Sequence, residues 1–589
     1  MTNQEVAEKL REVYNLMQLA GENRFRAIAF DRAAQTIEGL NQEITKHIDE
    51  GTLTDIKGIG KSIAEDIRAY QETGTMPVLE SLKEKVPKGL MEWLNISGLG
   101  PKNISKIHKE LGITEITELK EACVSGAVAE LPGLGQKSAD KIIKSIEYLE
   151  KFGERARLDQ ALEIAEPIFE FIKSLDGIKQ SAIAGSLRRS RETIGDVDII
   201  VAADREATES IFDAFTNHEL VVEILGRGDT KSSIRTENGR QVDLRIVSET
   251  EYPAALMYFT GSKEHNIVMR QRARERGMAL NEYGLFKLND EKETDFDKPV
   301  KTSSEQEIYK KLDLNFVPPE HREDRGEFEY YADNESMELV NAGDIRGVIH
   351  AHSTWSDGKY SVKQMAEACI ERGYEYLGIT DHSKTAAYAG GLSIDDVKRQ
   401  WDEIDELNEV FNSDGIKFTI FKGMESDILS DGSLDYPDEI LSGFDFVIAS
   451  VHSGLEMPFD KMMSRFEAAI KNPYTTMLGH PTGRLLLRRD ESKTDLNRLI
   501  ELAAEYNTAI EINASPWRLD LDWKLGNKAK EAGLLTSINP DAHSTEGIDD
   551  IRYGVMIARK AKFEPARVLN TKPAEEFLKW CREVIKLER

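Results

Sequence analysis

The chain has 589 residues, of which 40% are hydrophobic and 31% charged, and its formal net charge at pH 7 is −28. This length exceeds what one hydrophobic core supports and predicts three to five domains. The negative charge argues against a large non-specific surface for nucleic acid, although it allows local contacts through backbone amides or small basic clusters. No apolar stretch approaches the roughly 18 residues of a membrane span. The N-terminus lacks the pattern of a signal peptide and the three cysteines are scattered, so we expect a cytoplasmic protein without disulfides.

A pattern of two glycines around one apolar residue occurs three times in the first 150 residues, each time between helix-like segments. The pairs are Gly58 and Gly60, Gly98 and Gly100, and Gly133 and Gly135. Two glycines permit a tight turn between helices, and the second helix then presents free N–H groups to a phosphate. One copy fits an ordinary helix end equally well. Three copies resemble the helix-hairpin-helix motif, which holds a DNA backbone without reading its sequence.

The segment from Gly185 to Ile200 combines a possible phosphate site with paired acids. Gly185 and Ser186 precede two arginines, and backbone N–H groups with guanidinium groups can bind phosphate. Asp196 and Asp198 lie two residues apart at the start of a predicted strand, so their side chains share a face. Carboxylates that close repel each other unless a cation lies between them, and hard oxygen ligands suit Mg²⁺ or Mn²⁺.

A third acid, Asp243, lies in the predicted strand from Gln241 to Val247. Three carboxylates on neighbouring strands can hold two metal ions, which is the arrangement that in-line phosphoryl displacement uses. The sequence Tyr258-Phe259-Thr260-Gly261-Ser262 follows, with Asn266 one helical turn later. The two rings suit either a nucleotide pocket or the hydrophobic core.

The order Gly-Ser-x-Arg-Arg, Gly-Asp-x-Asp, Val-Asp-Leu-Arg and Tyr-Phe-Thr-Gly-Ser resembles family X DNA polymerases over residues 1 to about 320. The resemblance implies that the three aspartates bind two catalytic Mg²⁺ or Mn²⁺ ions and that Asp243 helps to deprotonate the primer 3′-hydroxyl. It also implies that dNTP and gapped or nicked DNA are the substrates. The residues implied to contact the incoming nucleotide are Arg155, Ser186, Arg189, Gly195, Tyr258, Phe259, Gly261 and Asn266.

Two positions depart from the beta-type members of that family. Asp66 occupies the position of their lyase lysine, and an aspartate cannot form a Schiff base. We therefore expect no 5′-deoxyribose-phosphate lyase activity through that residue. Gln241 stands where those enzymes have an arginine, two residues before the third aspartate.

Six histidines, all placed near the ends of predicted strands, characterise the last 246 residues. Seven strands alternate with helices there, which predicts a parallel barrel with its active site at the carboxyl ends of the strands. Imidazole and carboxylate ligands together suit Zn, Mn or Fe. The candidate ligands are His350, His352, Asp357, His382, Glu425, His452, His480, Asp541 and His543.

This set resembles the PHP (polymerase and histidinol phosphatase) phosphoesterase domain, and each of the nine family ligands has a matching residue. The resemblance implies up to three ions that activate water against a phosphate ester. It divides the ligands into three sets: His350, His352, Glu425 and Asp541; Asp357, His382 and His480; and Glu425 with His452 and His543.

The combination of both halves resembles the bacterial and archaeal PolX subfamily, in which the PHP domain is a 3′–5′ exonuclease with related activity at abasic sites. We expect a monomeric repair polymerase that fills short gaps in base excision or end-joining repair. A DNA-end-binding scaffold with silent centres and a small-molecule phosphatase remain the alternatives. The predicted fold is helical at the N-terminus, α/β in the palm and a distorted (βα)7 barrel at the C-terminus. The expected domains are 1–80 (lyase-like), 81–153 (fingers), 154–250 (nucleotidyltransferase palm), 251–320 (thumb), 321–343 (linker) and 344–589 (PHP).

Overall fold

The computed structural model describes residues 3–38, 44–56, 58–96, 99–152, 155–289, 294–333 and 338–585. They form two compact units. The first is formed by the described residues within 1–154, 263–280 and 286–298, and the second by those within 155–262, 281–285 and 299–589.

The described part of residues 3–152 is helical, because its apolar residues recur at helical spacing. On the first helix Val6, Leu10, Val13 and Met17 share one face, and all four are fully buried. The helices are α1 (Asn3–Leu19), α2 (Arg24–Glu38), α3 (Ile44–Asp49), α4 (Lys61–Thr73), α5 (Pro77–Lys85), α6 (Lys88–Glu92), α7 (Pro101–Leu111), α8 (Ile116–Val124) and α9 (Gln136–Phe152).

Residues 155–260 form a five-stranded mixed sheet with helices packed against it. The strand order is β2-β4-β7-β6-β5, and only the β4–β7 pair is parallel. The elements are β1 (Ala156–Arg157), α10 (Leu158–Lys173), β2 (Ile178–Ile183), α11 (Gly185–Arg188), β3 (Thr193–Ile194), β4 (Val197–Ala203), α12 (Thr208–Thr216), β5 (Val221–Arg227), β6 (Lys231–Thr236), β7 (Gln241–Val247) and α13 (Tyr252–Thr260).

The next segment contains a three-stranded sheet in the order β10-β9-β8 and three helices. One helix lies inside the stretch 321–343 that we expected to be a linker. It begins after Gly326, and the Glu327 carboxylate accepts hydrogen bonds from the N–H groups of Asp324 and Arg325. The elements are α14 (Lys263–Glu275), β8 (Met278–Asn281), β9 (Gly284–Leu288), β10 (Thr294–Val300), α15 (Glu305–Lys311) and α16 (Glu327–Asp333).

The C-terminal part of the second unit is a seven-stranded parallel sheet in sequential order, β11 to β17. Its strands are β11 (Gly347–Ala351), β12 (Tyr376–Ile379), β13 (Thr419–Asp427), β14 (Phe446–Ser450), β15 (Met477–Leu478), β16 (Ala509–Asn513) and β17 (Thr536–Asn539). Its helices are α17 (Val362–Glu371), α18 (Ile394–Ser413), α19 (Asp438–Leu441), α20 (Phe459–Lys471), α21 (Leu496–Glu505), α22 (Gly526–Ala532), α23 (Ile551–Lys560) and α24 (Ala574–Ile585).

The sheet curls into a nearly closed barrel. Ala351, at the end of the first strand, pairs in parallel with Ala542, which follows the last strand. Inside, one end is filled by α24, whose Phe577 packs against Tyr376, Phe421 and Phe446. The expected parallel barrel is therefore confirmed. Among the described helices, none combines the length and the apolar character needed to cross a lipid bilayer.

Candidate active sites

The palm brings its three aspartates together. Asp198 and Asp243 are directly paired across the parallel strands β4 and β7. Asp196 comes just before β4, which begins one residue later than predicted. Each of the three offers one carboxylate oxygen, and these oxygens lie within 4.8 Å of one another. Burial, reinforced by the charges of Asp196 and Asp243, raises the pKa of Asp198 to about 7. The group therefore favours a positive ion between its carboxylates.

Asp243 has two partners within the sheet. Its Oδ2 lies 2.6 Å from Lys231 Nζ, and its Oδ1 accepts a hydrogen bond of 3.0 Å from Gln241 Nε2. Gln241 stands where the beta-type enzymes described above have an arginine. Lys231 on β6 nevertheless places a cation beside the same carboxylate. The register explains this contact, since residues 231–235 of β6 run antiparallel to residues 241–245 of β7.

The predicted phosphate loop begins where the chain passes closest to the acids. Gly185 has φ +63°, and a Cβ there would lie 2.5 Å from Asp198 Oδ2, so both the backbone conformation and the space require glycine. Ser186 lies in α11 and is half-buried. Arg155 donates to Thr193 Oγ1 at 2.8 Å. A Cβ at Gly195 would lie 3.7 Å from the Arg155 guanidinium group. Arg155 therefore lies against the end of the segment from Gly185 to Gly195 that leads into β4.

Arg189 is held by protein groups on two sides. Its Nε lies 3.2 Å from Glu323 Oε1, and its Nη1 donates to Thr260 O at 2.5 Å. The neighbouring Arg188 instead pairs bidentately with Glu305, at 3.0 and 2.6 Å. Both guanidinium groups thus have fixed orientations.

The aromatic pair lies at the end of α13. The rings of Tyr258 and Phe259 meet edge to face with centroids 5.1 Å apart. The Arg245 guanidinium group lies 4.1 Å from the Phe259 centroid, and Phe259 also packs against the small core cluster on β4 and α13. Gly261 ends α13 with φ +69°. Asn266 is buried in α14 and belongs to the other unit.

The glycine pairs of the first unit stand directly before helices. Gly58 and Gly133 have φ +99° and +82°. Gly60, Gly100 and Gly135 immediately precede α4, α7 and α9, which is the placement that a hairpin between helices requires. Gly98 lies outside the described residues. The buried Asp66, at the lyase position, accepts a hydrogen bond of 3.2 Å from Val78 N.

The nine barrel candidates converge at the carboxyl end of the strands. Glu425 is their centre: its Oε1 lies 3.0 Å from His480 Nε2 and 3.2 Å from His452 Nε2. Its Oε2 lies 3.0 Å from His382 Nδ1 and 3.6 Å from His350 Nε2. One fully buried carboxylate therefore contacts imidazoles from four different strand ends.

The distances divide the ligands differently from the expected sets. Asp357 Oδ1 lies 3.3 Å from His543 Nε2 and 3.6 Å from His382 Nε2. His480, expected with Asp357, lies instead against Glu425. His352 Nε2 lies 3.0 Å from Asp541 Oδ1. The geometry thus places Asp357 with His382 and His543, and His480 with Glu425 and His452.

Buried carboxylates orient the imidazoles from behind. Glu511 Oε2 lies 2.9 Å from His350 Nδ1, and Asp427 Oδ1 lies 2.6 Å from His452 Nδ1. Both contacts leave the Nε2 atom of the histidine facing the cluster, as is usual for metal-binding histidines. The sequence carried a signal for Glu511, because a charged residue inside the apolar stretch Ala509–Ile512 must have a partner when it is buried.

The electrostatics of the cluster fit cations. Burial by itself raises the pKa of Glu425, but His452, His382 and His350 hold it well below its ordinary value. Burial lowers the pKa of His350, but the surrounding carboxylates raise it well above its ordinary value. Among the described residues His350 Nε2 and Glu425 Oε2 have no hydrogen-bond partner although both are buried. An imidazole nitrogen and a carboxylate oxygen without hydrogen-bond partners suit Zn, Mn or Fe as metal ligands.

Comparison with known protein families agrees with both halves of the chain. Four family models match: Helix-hairpin-helix domain over residues 1–76, SAM-like Helix-hairpin-helix tandem over 91–147, DNA polymerase beta thumb over 255–323 and PHP domain over 349–515.

Similar curated proteins cover either the whole chain or one half of it. The DNA polymerase/3′-5′ exonuclease PolX of Bacillus subtilis (strain 168) is 42% identical over 585 residues, which are 98% of this chain and 100% of that protein. DNA polymerase lambda of Rattus norvegicus is 22% identical over 54% of this chain and 56% of its own length. A probable phosphatase of Thermoanaerobacter sp. (strain X514) is 28% identical over 38% of this chain and 89% of its own length.

The helix-hairpin-helix repeats, the thumb, the three palm acids and the PHP barrel define a polymerase-beta-like DNA polymerase joined to a phosphoesterase. At 42% identity over nearly the full length of both chains, the protein belongs to the PolX family of DNA polymerases.

Proposed function

We propose that this protein fills short gaps in DNA during repair and that its barrel removes nucleotides from 3′ ends. The observation that carries the proposal is that one polypeptide holds two separate groups of side chains that could bind metal ions. One is the acidic group on β4 and β7, and the other is the histidine-rich group at the mouth of the barrel. Gapped DNA and dNTP are the substrates of the first and a DNA 3′ end is the substrate of the second. The three buried free cysteines are consistent with a cytoplasmic location.

In the palm, Asp196, Asp198 and Asp243 would hold two Mg²⁺ or Mn²⁺ ions. These ions would neutralise the attacking and leaving oxygens of the displacement. The loop from Gly185 to Gly195, with Ser186 and Arg189, would receive the triphosphate, while Tyr258 and Phe259 would face the sugar. Lys231 lies against Asp243 Oδ2, on the carboxylate that would help to accept the proton of the primer 3′-hydroxyl.

In the barrel, the geometry supports three ligand sets: His350, His352, Asp541 and Glu425; Glu425, His452 and His480; and Asp357, His382 and His543. Zn²⁺, Mn²⁺ or Fe bound there would supply Lewis acidity and a nucleophile derived from water at neutral pH. His543 and Asp357 are 38% and 36% exposed, whereas Glu425 and His350 are buried. The phosphodiester therefore approaches from the side of His543 and Asp357.

The proposal is tested with a short-gapped duplex in Mg²⁺ or Mn²⁺, with and without dNTPs. Asp196→Ala combined with Asp198→Ala should abolish gap filling and leave 3′-end degradation measurable, because only the palm ligands are lost. His352→Ala should have the opposite effect. Gap filling by the double variant at the wild-type rate would refute the palm assignment.

Matched controls separate these effects from general damage. Asp213→Asn removes an exposed palm carboxylate that pairs with Arg227, and His218→Ala removes a palm histidine that packs on Phe171. Both variants should retain both activities. Faster turnover of a small phosphate monoester than of a 3′-recessed duplex would instead favour a phosphatase, and tight DNA binding without dNTP consumption would favour a scaffold.

A further inference from the structure

The loop that would receive the triphosphate is held by side chains from the barrel. Glu192, in the middle of this loop, is buried, and its Oε2 accepts a hydrogen bond of 3.0 Å from Trp523 Nε1. Arg484 Nη2 lies 3.7 Å from the other oxygen of the same carboxylate. Trp523 and Arg484 both come from loops of the barrel, more than 290 residues away in sequence. The contact is thus a tertiary connection between the palm and the barrel within the second unit.

Lys560 makes the second connection. It is the last residue of α23, its side chain is fully buried, and burial lowers its pKa to about 8. Its ammonium group donates to Arg189 O at 2.8 Å, to Glu320 O at 2.8 Å and to Glu323 Oε1 at 2.7 Å. All three N–H groups are therefore used, and one of them fixes the backbone at Arg189 itself.

Glu323 joins Lys560 to the side chains of the loop. The same carboxylate lies 3.2 Å from Arg189 Nε and 3.3 Å from Arg191 Nη1. Its exposed fraction is 8%, so these charges interact in a poorly solvated place. Without Lys560 the carboxylate would keep only the two loop arginines as charged partners, and the backbone oxygen of Arg189 would lose its donor. Lys560 thus controls both the position and the orientation of the Arg189 guanidinium group.

We propose that Lys560 and Trp523 are positioning residues for nucleotidyl transfer, holding the loop 185–196 and Arg189 in the conformation that receives the triphosphate. The proposal rests on the palm being a dNTP site, as proposed above. Neither residue touches the three aspartates or the nine barrel ligands in the contacts described. Their effect on synthesis is therefore transmitted through Glu192, Glu323 and Arg189.

The test compares Lys560→Met with Lys562→Met, a half-buried control two residues away that contacts the Tyr330 ring and not the loop. KM and kcat for dNTP are measured in gap filling, together with the affinity for a fluorescent dATP in Ca²⁺ and the rate of 3′-end degradation. Lys560→Met should raise both the KM and the Kd of the nucleotide about 10- to 100-fold, since a displacement of about 1 Å has effects of that size. Degradation should change by less than about threefold, and Lys562→Met should match the wild type.

A second variant keeps the test decisive if the first does not fold. Trp523→Phe retains most of the ring but loses the N–H donor to Glu192, and it should also raise the nucleotide KM. If the folded variants keep the wild-type KM and Kd while the wild type fills gaps, the positioning role is overturned and the proposed function is not. Parallel loss of degradation and of thermal stability would make these residues merely structural and would also overturn it. A wild type that neither binds nor incorporates dNTP would refute the proposed function itself.

Discussion

Glu511 offers the most direct test of how the barrel prepares its metal ligands. The residue is fully buried, and four donors converge on its carboxylate. Oε1 accepts from His480 N at 2.8 Å and from Asn513 Nδ2 at 2.9 Å. Oε2 lies 2.9 Å from both His350 Nδ1 and Asn539 Nδ2. Replacement of Glu511 by glutamine keeps the shape but turns one oxygen into an N–H₂ group.

The size of the effect follows from these four contacts. Whichever way the glutamine amide turns, its nitrogen meets two hydrogen-bond partners that both donated to the carboxylate. Each buried donor left unsatisfied costs about 1 to 3 kcal/mol. With the amide nitrogen at the Oε1 position, His480 N and Asn513 Nδ2 lose their acceptor. At the Oε2 position Asn539 Nδ2 loses its acceptor, and so does His350 unless its ring adopts the other tautomer. That tautomer carries its proton on Nε2, the atom that faces Glu425 and Asp541. Since changes in groups that orient metal ligands typically weaken metal binding about 10- to 100-fold, we expect a loss of that size.

The assay measures Mn²⁺ affinity and stoichiometry by titration in the full-length protein, with metal analysis of the purified variant and a 3′-end degradation assay. Glu531→Gln is the matched control, because Glu531 is an exposed residue in α22 and the substitution removes the same charge. Degradation by Glu511→Gln should fall and should recover in part at high Mn²⁺. Wild-type stoichiometry, with an affinity within about twofold of the wild type, would refute the argument that Glu511 fixes the His350 ring.

Two further predictions concern the palm side of the second unit. Glu305→Gln should destabilise the segment around α15 by about 3 to 5 kcal/mol, because the fully buried Arg322 loses the carboxylate that lies 2.5 Å away. Hydrogen exchange there should accelerate strongly, whereas the exposed Glu329→Gln should leave it unchanged; equal exchange in both variants would contradict this. Separately, the pKa of Asp198 is raised to about 7, so below that pH a metal ion must displace a proton. Mn²⁺ binding at the palm site is identified as the binding that Asp243→Asn abolishes. Its affinity should fall about tenfold for each pH unit below 7 and be constant above pH 7. A constant affinity between pH 5.5 and 7 would show that Asp198 is already ionised.

Local sequence patterns predicted the elements that carry the candidate ligands. The strand Gln241–Val247 has the predicted bounds, because its apolar residues alternate with polar ones and are buried in the hydrophobic core. Helices begin after Gly60 and Gly135 as the glycine pattern required. The seven strands of the barrel were predicted because each is an apolar stretch that leads into a polar, ligand-type residue.

The pairings between distant residues could not be predicted in the same way. Lys231 reaches Asp243 through the register of β6, a strand whose polar sequence gives a weak signal. Lys560 meets Arg189 across 371 residues of sequence. The division of the barrel ligands also depends on where each strand end falls around the circle, and spacing along the chain does not contain that information. Residue types therefore point to the candidate metal ligands as a set, but only the fold groups them.

The packing of α24 inside the barrel has a consequence for how a strand of DNA is handled. Phe577 and its neighbours fill the end of the barrel opposite the histidines. The barrel is therefore open at one end only. A 3′ end that enters must leave through the same mouth, and so must the nucleotide released from it. The shortened strand must then advance by one nucleotide before the next phosphate can be seated. The filled end thus excludes threading of the strand through the barrel, so entry of the 3′ end and exit of the released nucleotide share one opening.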